Sequence, residues 1–267
     1  MNKPLSGLRI LVCGKGGCGK SSIISLMAQI LRDETYRVIV LDGDASNPGG
    51  VARLIFGSLP GPAPLINFFG GRNKVDCPVD NPAPLTRLND PVPITEQNID
   101  LTEIPSEYFI EKDNILLFQI GKIKEFCEGC DGPMSKVTRD FIVKGPYVQL
   151  IDVEAGIEHF GRGVEKNVDF IIVVADPTYE SLLLAEKISH LCSGMEKTRV
   201  RAIVNKVRLE YMELIMRGEL EKKKIEVLGV VHFDEQLMHA GLMGKQIGKS
   251  KAHEDMKTIM KKLTLAV

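Results

Sequence analysis

The sequence has no tryptophan, few aromatic residues and no excess of charge of either sign. Aromatic residues make up 6% of the 267 residues. Lys and Arg number 34 and Asp and Glu 35, so the formal net charge is -1. A balanced charge does not favour bulk binding to nucleic acid or to an anionic membrane surface. We therefore expect no nucleic-acid partner and no membrane partner.

Long hydrophobic runs are also missing. The longest wholly apolar stretch is Phe170 to Ala175, which is far too short to span a bilayer. The N-terminal residues reach the charged Arg9 without the apolar region of a signal peptide. We expect a soluble, cytoplasmic protein. The length suits one α/β domain with a large core, and we assign residues 1–267 to a single domain.

Residues 14–21 carry the most informative pattern, the phosphate-binding loop G-x-x-x-x-G-K-[ST], without mismatch. An apolar strand pattern precedes the loop and a helical pattern follows it. Backbone N–H groups of such a loop bind phosphates, Lys20 neutralises their charge, and the Ser21 hydroxyl reaches Mg²⁺. The predicted nucleotide ligands here are Gly14, Gly16, Gly17, Cys18, Gly19, Lys20, Ser21 and Ser22.

Lys15 is a second lysine that a phosphate-binding loop does not require. A side chain at this position points away from the nucleotide of its own chain. It is explained if it reaches the nucleotide of a partner, so we expect a homodimer with Lys15 in catalysis. The alternative is a solvated surface lysine.

Short apolar runs alternate with helical patterns along most of the chain. This alternation predicts an α/β fold with a doubly wound, mostly parallel sheet flanked by helices. The predicted strands are 8–13, 38–41, 115–119, 148–153, 170–174, 200–205 and 228–232, and the predicted helices are 20–33, 135–143, 179–192, 208–223 and 252–263. Residues 57–113 break the alternation and hold nine of the 14 prolines. We interpret them as a long surface excursion that is functional or binds a partner.

Polar residues end several predicted strands, where an α/β sheet binds its ligands. Asp42 and Asp44 follow the second strand, and one of them would order the Mg²⁺ shell and the other the attacking water. The alternative for this pair is an Asp-rich turn. Asp152 ends the fourth strand and suits a carboxylate near Mg²⁺, with Gly156 placed to sense the γ-phosphate. Asn205 and Lys206 end the sixth strand and complete the nucleotide site, with Asn205 at the adenine edge; the alternative for Asn205 is a cap of the strand end.

These motifs resemble the deviant Walker A ATPases of the MinD, ParA and nitrogenase iron protein superfamily. The resemblance implies ATP hydrolysis in a dimer, with Lys15 crossing the interface and Asp44 activating water. Residues 152–163 resemble switch II of the CooC-type ATPases, which assist nickel insertion into carbon monoxide dehydrogenase and related acetyl-CoA synthases. Further matches are residues 104–108, 121–124 and 176–181. The resemblance covers nearly the whole chain and is poorest over residues 57–103.

Six cysteines are present, and only Cys127 and Cys130 have the spacing of metal ligands. Two thiolates are too few for a four-coordinate site, whereas a two-fold dimer supplies four. Such a set suits Ni²⁺, Zn²⁺ or a [4Fe–4S] cluster, and we favour Ni²⁺ or Zn²⁺. The alternative is a pair of buried thiols. CooC-type proteins carry C-x-C instead, with the first cysteine matching Cys130 and the second falling at Gly132.

His159 takes the position at which the nitrogenase iron protein has a cluster cysteine. It is a switch hydrogen-bonding group, an auxiliary ligand, or a histidine that only caps or packs.

Three functions compete. The first is a dimeric metallochaperone ATPase that helps to insert nickel into a client apo-metalloenzyme such as carbon monoxide dehydrogenase or acetyl-CoA synthase. The second is an ATP-gated [4Fe–4S] reductase of the nitrogenase iron protein type. The third is a MinD-like positioning ATPase, which requires a basic amphipathic tail. Residues 251–263 offer such a stripe, although a helix packed on the sheet explains the same stripe and is the interpretation that we favour. We favour the first function.

Overall fold

The computed structural model describes residues 3–47, 50–57, 61–123, 125–126, 128, 130–195 and 199–267. The strands are β1 (Arg9–Gly14), β2 (Arg37–Asp42), β3 (Thr86–Arg87), β4 (Asp90–Pro93), β5 (Phe109–Lys112), β6 (Ile115–Gln119), β7 (Tyr147–Asp152), β8 (Phe170–Ala175), β9 (Arg199–Val207) and β10 (Glu226–His232). The helices are α1 (Lys20–Asp33), α2 (Ala52–Phe56), α3 (Gly132–Asp140), α4 (Glu158–Gly161), α5 (Tyr179–Cys192), α6 (Glu210–Lys222), α7 (Glu235–Met243) and α8 (Lys251–Leu265).

Among the described residues, eight strands form one sheet in the order β10-β9-β8-β1-β7-β2-β6-β5. Every pair is parallel except β5 with β6 at one edge, which is antiparallel. Strand β1 lies near the centre, between β7 and β8. Its carboxyl end, and those of β2, β7, β8 and β9, therefore meet at one edge of the sheet. The predicted doubly wound, mostly parallel α/β fold is confirmed.

Both faces of the sheet are covered, which is why its strands are almost continuously apolar. Along β1, Leu11 and Cys13 contribute to one core, and Ile10 and Val12 to the other. Helices α3, α5 and α6 supply side chains to the first core, while α1, α2 and α8 supply the second.

All seven predicted strands are present, with ends that differ by a few residues. The prediction for the third helix was displaced, because 135–143 corresponds to α3 at Gly132–Asp140. Proline is favoured in the first turn of a helix, and Pro133 lies there. The backbone is already extended at Phe141, so the helix ends before it. Helix α7 was not predicted, since it is short and mostly exposed, with Ala240 as its buried residue.

The excursion of residues 57–113 packs against the sheet instead of only running over the surface. It includes the β3–β4 hairpin and the edge strand β5. Its buried apolar residues join the first core, and they are Leu65, Ile66, Phe69, Val75, Leu85, Ile94, Ile99 and Ile104. This segment therefore takes the place that a crossover helix has between parallel strands.

The apolar stripe of α8 belongs to the second core. Met256, Ile259, Met260 and Leu263 are each at most 1% exposed. The explanation of this stripe as a helix packed on the sheet is confirmed, and the stripe is not free to enter a membrane. None of the helices formed by the described residues is long and apolar enough to cross a bilayer.

Candidate functional site

The loop of residues 14–21 connects β1 to α1 and depends on glycine at two positions. Gly14 has a φ of 148° and Gly19 a φ of 101°, which only glycine adopts without strain. A Cβ at Gly14 would lie 2.4 Å from the Val174 carbonyl oxygen, and one at Gly19 2.4 Å from Asn205 Nδ2. The loop is thus pressed between the ends of β8 and β9.

The polar side chains of the loop lie at the first turn of α1. Lys20 is 7% exposed, and its Nζ donates to the Gly14 carbonyl oxygen at 3.4 Å. The Ser21 hydroxyl donates to Asp152 Oδ2 at 2.9 Å. The loop between β1 and α1, which is predicted to bind phosphates, is therefore in direct contact with the end of β7, which is predicted to lie near Mg²⁺.

Asp42 and Asp152 lie side by side at the ends of β2 and β7 and are almost fully buried. Burial and the nearby Asp42 raise the pKa of Asp152 to about 7, against the opposing effects of Lys20 and the Ser21 hydrogen bond. Asp42 Oδ2 and Asp152 Oδ1 are buried without a hydrogen-bond partner. Orphaned buried carboxylate oxygens are what a cation or its water shell satisfies.

Lys122 is a residue of this site that sequence reasoning did not assign. It follows β6, and its Nζ lies 2.8 Å from Asp42 Oδ1 and 2.5 Å from the Asp44 carbonyl oxygen. Burial raises the pKa of Asp42, and the Lys122 ammonium opposes that rise. One carboxylate oxygen of Asp42 therefore already has a cationic partner within the chain, the Lys122 ammonium. The sequence shows that a lysine soon after a buried strand needs a partner, but it does not show that this partner is Asp42.

Asp44 is 8% exposed and lies beside the loop. Its Oδ1 accepts hydrogen bonds from the Ser46 backbone N–H at 2.9 Å and from the Ser46 hydroxyl at 2.6 Å. This is the geometry of an Asx turn. The turn holds the Asp44 carboxylate in one orientation. The Asp-rich turn given above as the alternative is therefore compatible with a role for Asp44 in activating water.

Asn205 and Lys206 contact the phosphate-binding loop itself. Asn205 Nδ2 donates to the Cys18 carbonyl oxygen at 2.8 Å, and Lys206 Nζ to the Gly17 carbonyl oxygen at 2.5 Å. Both residues line a cavity of about 550 Å³. Other residues that line it are Gly16, Gly17, Gly19, Lys20, Ser21, Ser22, Asp44, Ser46, His232, Phe233, Asp234, Leu237 and Met238. The cavity runs from the loop to α7. Its walls at β10 and α7 were not predicted.

Lys15 does not line this cavity. Its Nζ donates to Thr178 Oγ1 at 3.0 Å and lies 3.6 Å from Asp176 Oδ1. Burial raises the pKa of Asp176, but hydrogen bonds from Ser181 and Thr178, together with Lys15, hold it below its ordinary value. From the sequence, residues 176–181 were noted only for their resemblance to CooC-type ATPases, and no contact of Asp176 or Thr178 with Lys15 was predicted.

The segment after β7 connects the loop to α3. The Gly156 backbone N–H is 3.4 Å from the Gly14 carbonyl oxygen. Arg162 donates to the Asp131 carboxylate, which lies at the start of α3. Burial and the adjacent Asp131 carboxyl together raise the pKa of Glu154 to about 7. The segment after β7 is thus connected, through Glu154 and Arg162, to Asp131, the residue after Cys130. Sequence spacing does not reveal this contact.

His159 is 4% exposed, and its Nδ1 contacts the buried Glu165 carboxylate. Its ring packs on Phe160 with the centroids 4.7 Å apart. The side chain is thus held within the switch segment by packing and one hydrogen bond.

The predicted thiol pair is only partly described. Cys127 lies outside the described residues, while Cys130 is exposed in the loop before α3. Within the described ranges, no group of three or more His, Cys, Asp and Glu side chains is placed to hold a metal ion. Cys77, for which sequence reasoning gave no role, has its sulfur against Gly132 near Cys130.

Comparisons with known proteins agree with this geometry. Residues 10–247 match the model of the CobQ/CobB/MinD/ParA nucleotide-binding domain. An uncharacterised ATP-binding protein of Methanocaldococcus jannaschii is 39% identical over 249 residues, or 90% of this chain and 94% of that protein. The carbon monoxide dehydrogenase accessory protein CooC of Rhodospirillum rubrum is 28% identical over 273 residues, covering 96% of this chain and 97% of CooC.

The solved structure of the cell division ATPase MinD from Pyrococcus furiosus has the same fold. It superposes with a TM-score of 0.66 at 14% identity and covers 98% of this chain and 100% of its own. Together with the matched family model, the phosphate-binding loop and its buried carboxylates carry one conclusion. The chain belongs to the CobQ/CobB/MinD/ParA family of nucleotide-binding domains and is a P-loop ATPase.

Proposed function

We propose that this ATPase is a metallochaperone that helps to insert nickel, or a similar soft metal ion, into an apo-metalloenzyme. The observation that carries the proposal is the contact between the nucleotide side and the thiol-bearing loop. Arg162 and Glu154, which follow β7, meet Asp131, which directly follows Cys130. A change at the phosphates therefore has a short route to the thiols.

In this proposal the loop holds the phosphates of ATP. Backbone N–H groups at the start of α1 and the Lys20 ammonium bind them. Ser21, Asp152 and Asp42 would hold Mg²⁺ directly or through its waters, which suits the orphaned buried oxygens of the two carboxylates. When bound, Mg²⁺ supplies charge neutralisation at the phosphates. Asn205, Lys206 and the β10–α7 wall bind the remainder of the nucleotide.

Asp44 activates the attacking water. Its carboxylate lines the cavity and is held in direction by Ser46. A single carboxylate as the water-activating group gives slow turnover, which suits a protein that couples each hydrolysis to one delivery event.

Lys15 links hydrolysis to dimer formation. Within one chain its ammonium rests on Asp176 and Thr178, at the rim of the site and 32% exposed. An exposed ion pair contributes little to stability, so little is lost when Lys15 leaves it. In a two-fold dimer Lys15 then reaches the phosphates of the partner's nucleotide, and the ATP-bound dimer is the closed state.

The cargo is a soft divalent ion on thiolates. Cys127 and Cys130 from both chains give the four thiolates that Ni²⁺ or Zn²⁺ binds. The likeness to CooC supports a client such as carbon monoxide dehydrogenase or an acetyl-CoA synthase. The dimer would close when ATP binds and open again after hydrolysis. This movement would change the distance between the two thiol-bearing loops, and thereby the affinity for the metal.

Anaerobic metal analysis of the reduced protein with Ni²⁺ or Zn²⁺ tests this function. Metal content and sedimentation are measured without nucleotide and with ATP and Mg²⁺. We expect an ATP-dependent dimer that holds about one metal per two chains, and the dimer should be lost in Lys15→Ala. Lys261→Ala, on the exposed face of α8, is the control. Stoichiometric iron and sulfide, or no metal in either state, would contradict the proposal.

A further inference from the structure

We infer that Cys77 is a metal-binding residue that acts together with Cys130 of the same chain. The inference deepens the proposed function and rests on it for the cargo, a soft divalent ion. The two sulfurs lie beside Gly132, the first residue of α3. An added Cβ there would lie 2.6 Å from the Cys77 sulfur and 3.4 Å from the Cys130 sulfur. Two thiols from distant parts of the chain therefore meet beside one glycine.

Both thiols are free, and both are accessible. Neither is in a disulfide, Cys130 is exposed and Cys77 is partly exposed. A thiolate lies about 2.3 Å from a bound Zn²⁺. Because the two sulfurs lie 2.6 and 3.4 Å from one point beside Gly132, a single ion there is within reach of both thiolates. The absence of a side chain at Gly132 leaves the space that the Cys77 sulfur occupies.

The two segments are tied together independently of the thiols. Arg72 comes from the same excursion as Cys77, and it donates to the Cys130 carbonyl oxygen and lies 2.9 Å from Glu128 Oε1. On the other side, Lys136 of α3 donates to the Asn81 carbonyl oxygen at 3.1 Å. The sulfurs are thus brought together by contacts that do not need a metal. Such pre-organisation is what a ligand pair requires.

The backbone around the pair is also held by hydrogen bonds. Asn81 N–H and Asp80 N–H donate to the Cys77 carbonyl oxygen at 2.9 and 3.1 Å, which holds Cys77 at the start of a turn. Cys130 directly precedes Asp131, the N-cap residue of α3. Thiolates are the form that binds a soft cation. Two thiolates leave further coordination positions open for the second chain or for the client protein.

Zn²⁺ titration of the reduced full-length protein against a chromophoric chelator tests the inference. Cys77→Ser should lower the affinity at least about tenfold, the lower end of what even a supporting group of a metal site contributes. Cys192→Ser, a buried thiol on α5, is the control and should change nothing. Gly132→Ala should also weaken binding with every thiol intact, because the new methyl displaces the Cys77 sulfur. Gly218→Ala, where an added Cβ meets nothing within 4 Å, is its control.

The outcomes separate the inference from the proposed function. Wild-type affinity in both Cys77→Ser and Gly132→Ala, with loss in Cys127→Ser, overturns the inference and leaves the proposed function standing. Loss in Cys77→Ser with an affinity that ignores nucleotide supports the inference and contradicts the proposed function. Alkylation by dibromobimane, which fluoresces only when both arms have reacted, gives a readout without metal. We expect bridging in Cys127→Ser, and no bridging would overturn the inference.

Discussion

The nucleotide side and the thiol side of this molecule are built in opposite ways. Lys20 and Asp152 are 7% and 1% exposed; Lys20 donates to the Gly14 carbonyl oxygen at the end of β1, and Asp152 accepts from Ser21 of α1. Cys130 is exposed, in the loop before α3, and its neighbour Cys77 comes from the excursion. The difference teaches that the predicted hydrolytic residues are buried and held by hydrogen bonds, while the surface that we propose for the cargo is open to solvent.

Asp44→Ala should have the largest effect and should break only the nucleotide side. Removal of a general base lowers turnover by about 10²–10⁴-fold, while ATP binding is retained because the loop and Lys20 are intact. Steady-state hydrolysis and equilibrium ATP binding measure the two effects separately. Asp33→Ala, at the exposed end of α1, is the control. Wild-type turnover in Asp44→Ala would show that another group activates the water.

Lys122→Met should lower stability strongly, because it leaves Asp42 as a buried carboxylate without its cation. Removing one partner of a buried ion pair costs about 3–5 kcal/mol of unfolding free energy. Urea denaturation measures it, and the exposed Lys112→Met is the control. The double variant with Asp42→Leu should recover most of the loss. A Lys122→Met midpoint equal to that of the control would contradict the buried pair.

The same contrast explains how far the sequence alone could lead. The nucleotide side is encoded in a contiguous motif, so the strand, the loop, Lys20 and Ser21 were predicted with their places. Lys122 was missed because its partner Asp42 belongs to a different strand, and only the β2–β6 pairing brings them together. Cys77 was missed for the same reason. A pattern of spacing detects ligands close in sequence, and the excursion that brings Cys77 to Gly132 has little periodicity.

The family pattern adds to this lesson. The resemblance to CooC-type proteins predicts a second cysteine at position 132, where this chain has glycine. In the structure the sulfur of Cys77 lies in the space that a side chain at Gly132 would take. The loss of one thiol in the local motif is thus matched by another thiol from the excursion.

Asp234→Ala should have a smaller effect, on the wall of the nucleotide cavity. Asp234 accepts from the Gln236 and Leu237 backbone N–H groups and from Ala252 N–H, which joins α7 to α8. Its loss should lower the free energy of unfolding by about 1–2 kcal/mol at neutral pH.

The pH dependence of that loss follows from the pKa of Asp234. Burial raises this pKa, but the backbone hydrogen bonds outweigh burial and hold it below the ordinary 3.8. The contribution of Asp234 is therefore complete above that value and disappears as the pH falls through the lowered pKa. Urea midpoints of both proteins at pH 7 and in acid should converge in acid. A difference that is constant with pH would contradict the assignment to the carboxylate.

The central claim is that the two sides are coupled through Asp131, Glu154 and Arg162. The direct test is the Zn²⁺ affinity of the reduced protein, measured with ADP and with a non-hydrolysable ATP analogue. We predict that the affinities differ at least about fivefold, the lower end of typical allosteric coupling. Arg162→Ala should abolish the difference while both nucleotides still bind, and Arg32→Ala should preserve it. Equal Zn²⁺ affinity in the two nucleotide states of the wild-type protein would contradict the account.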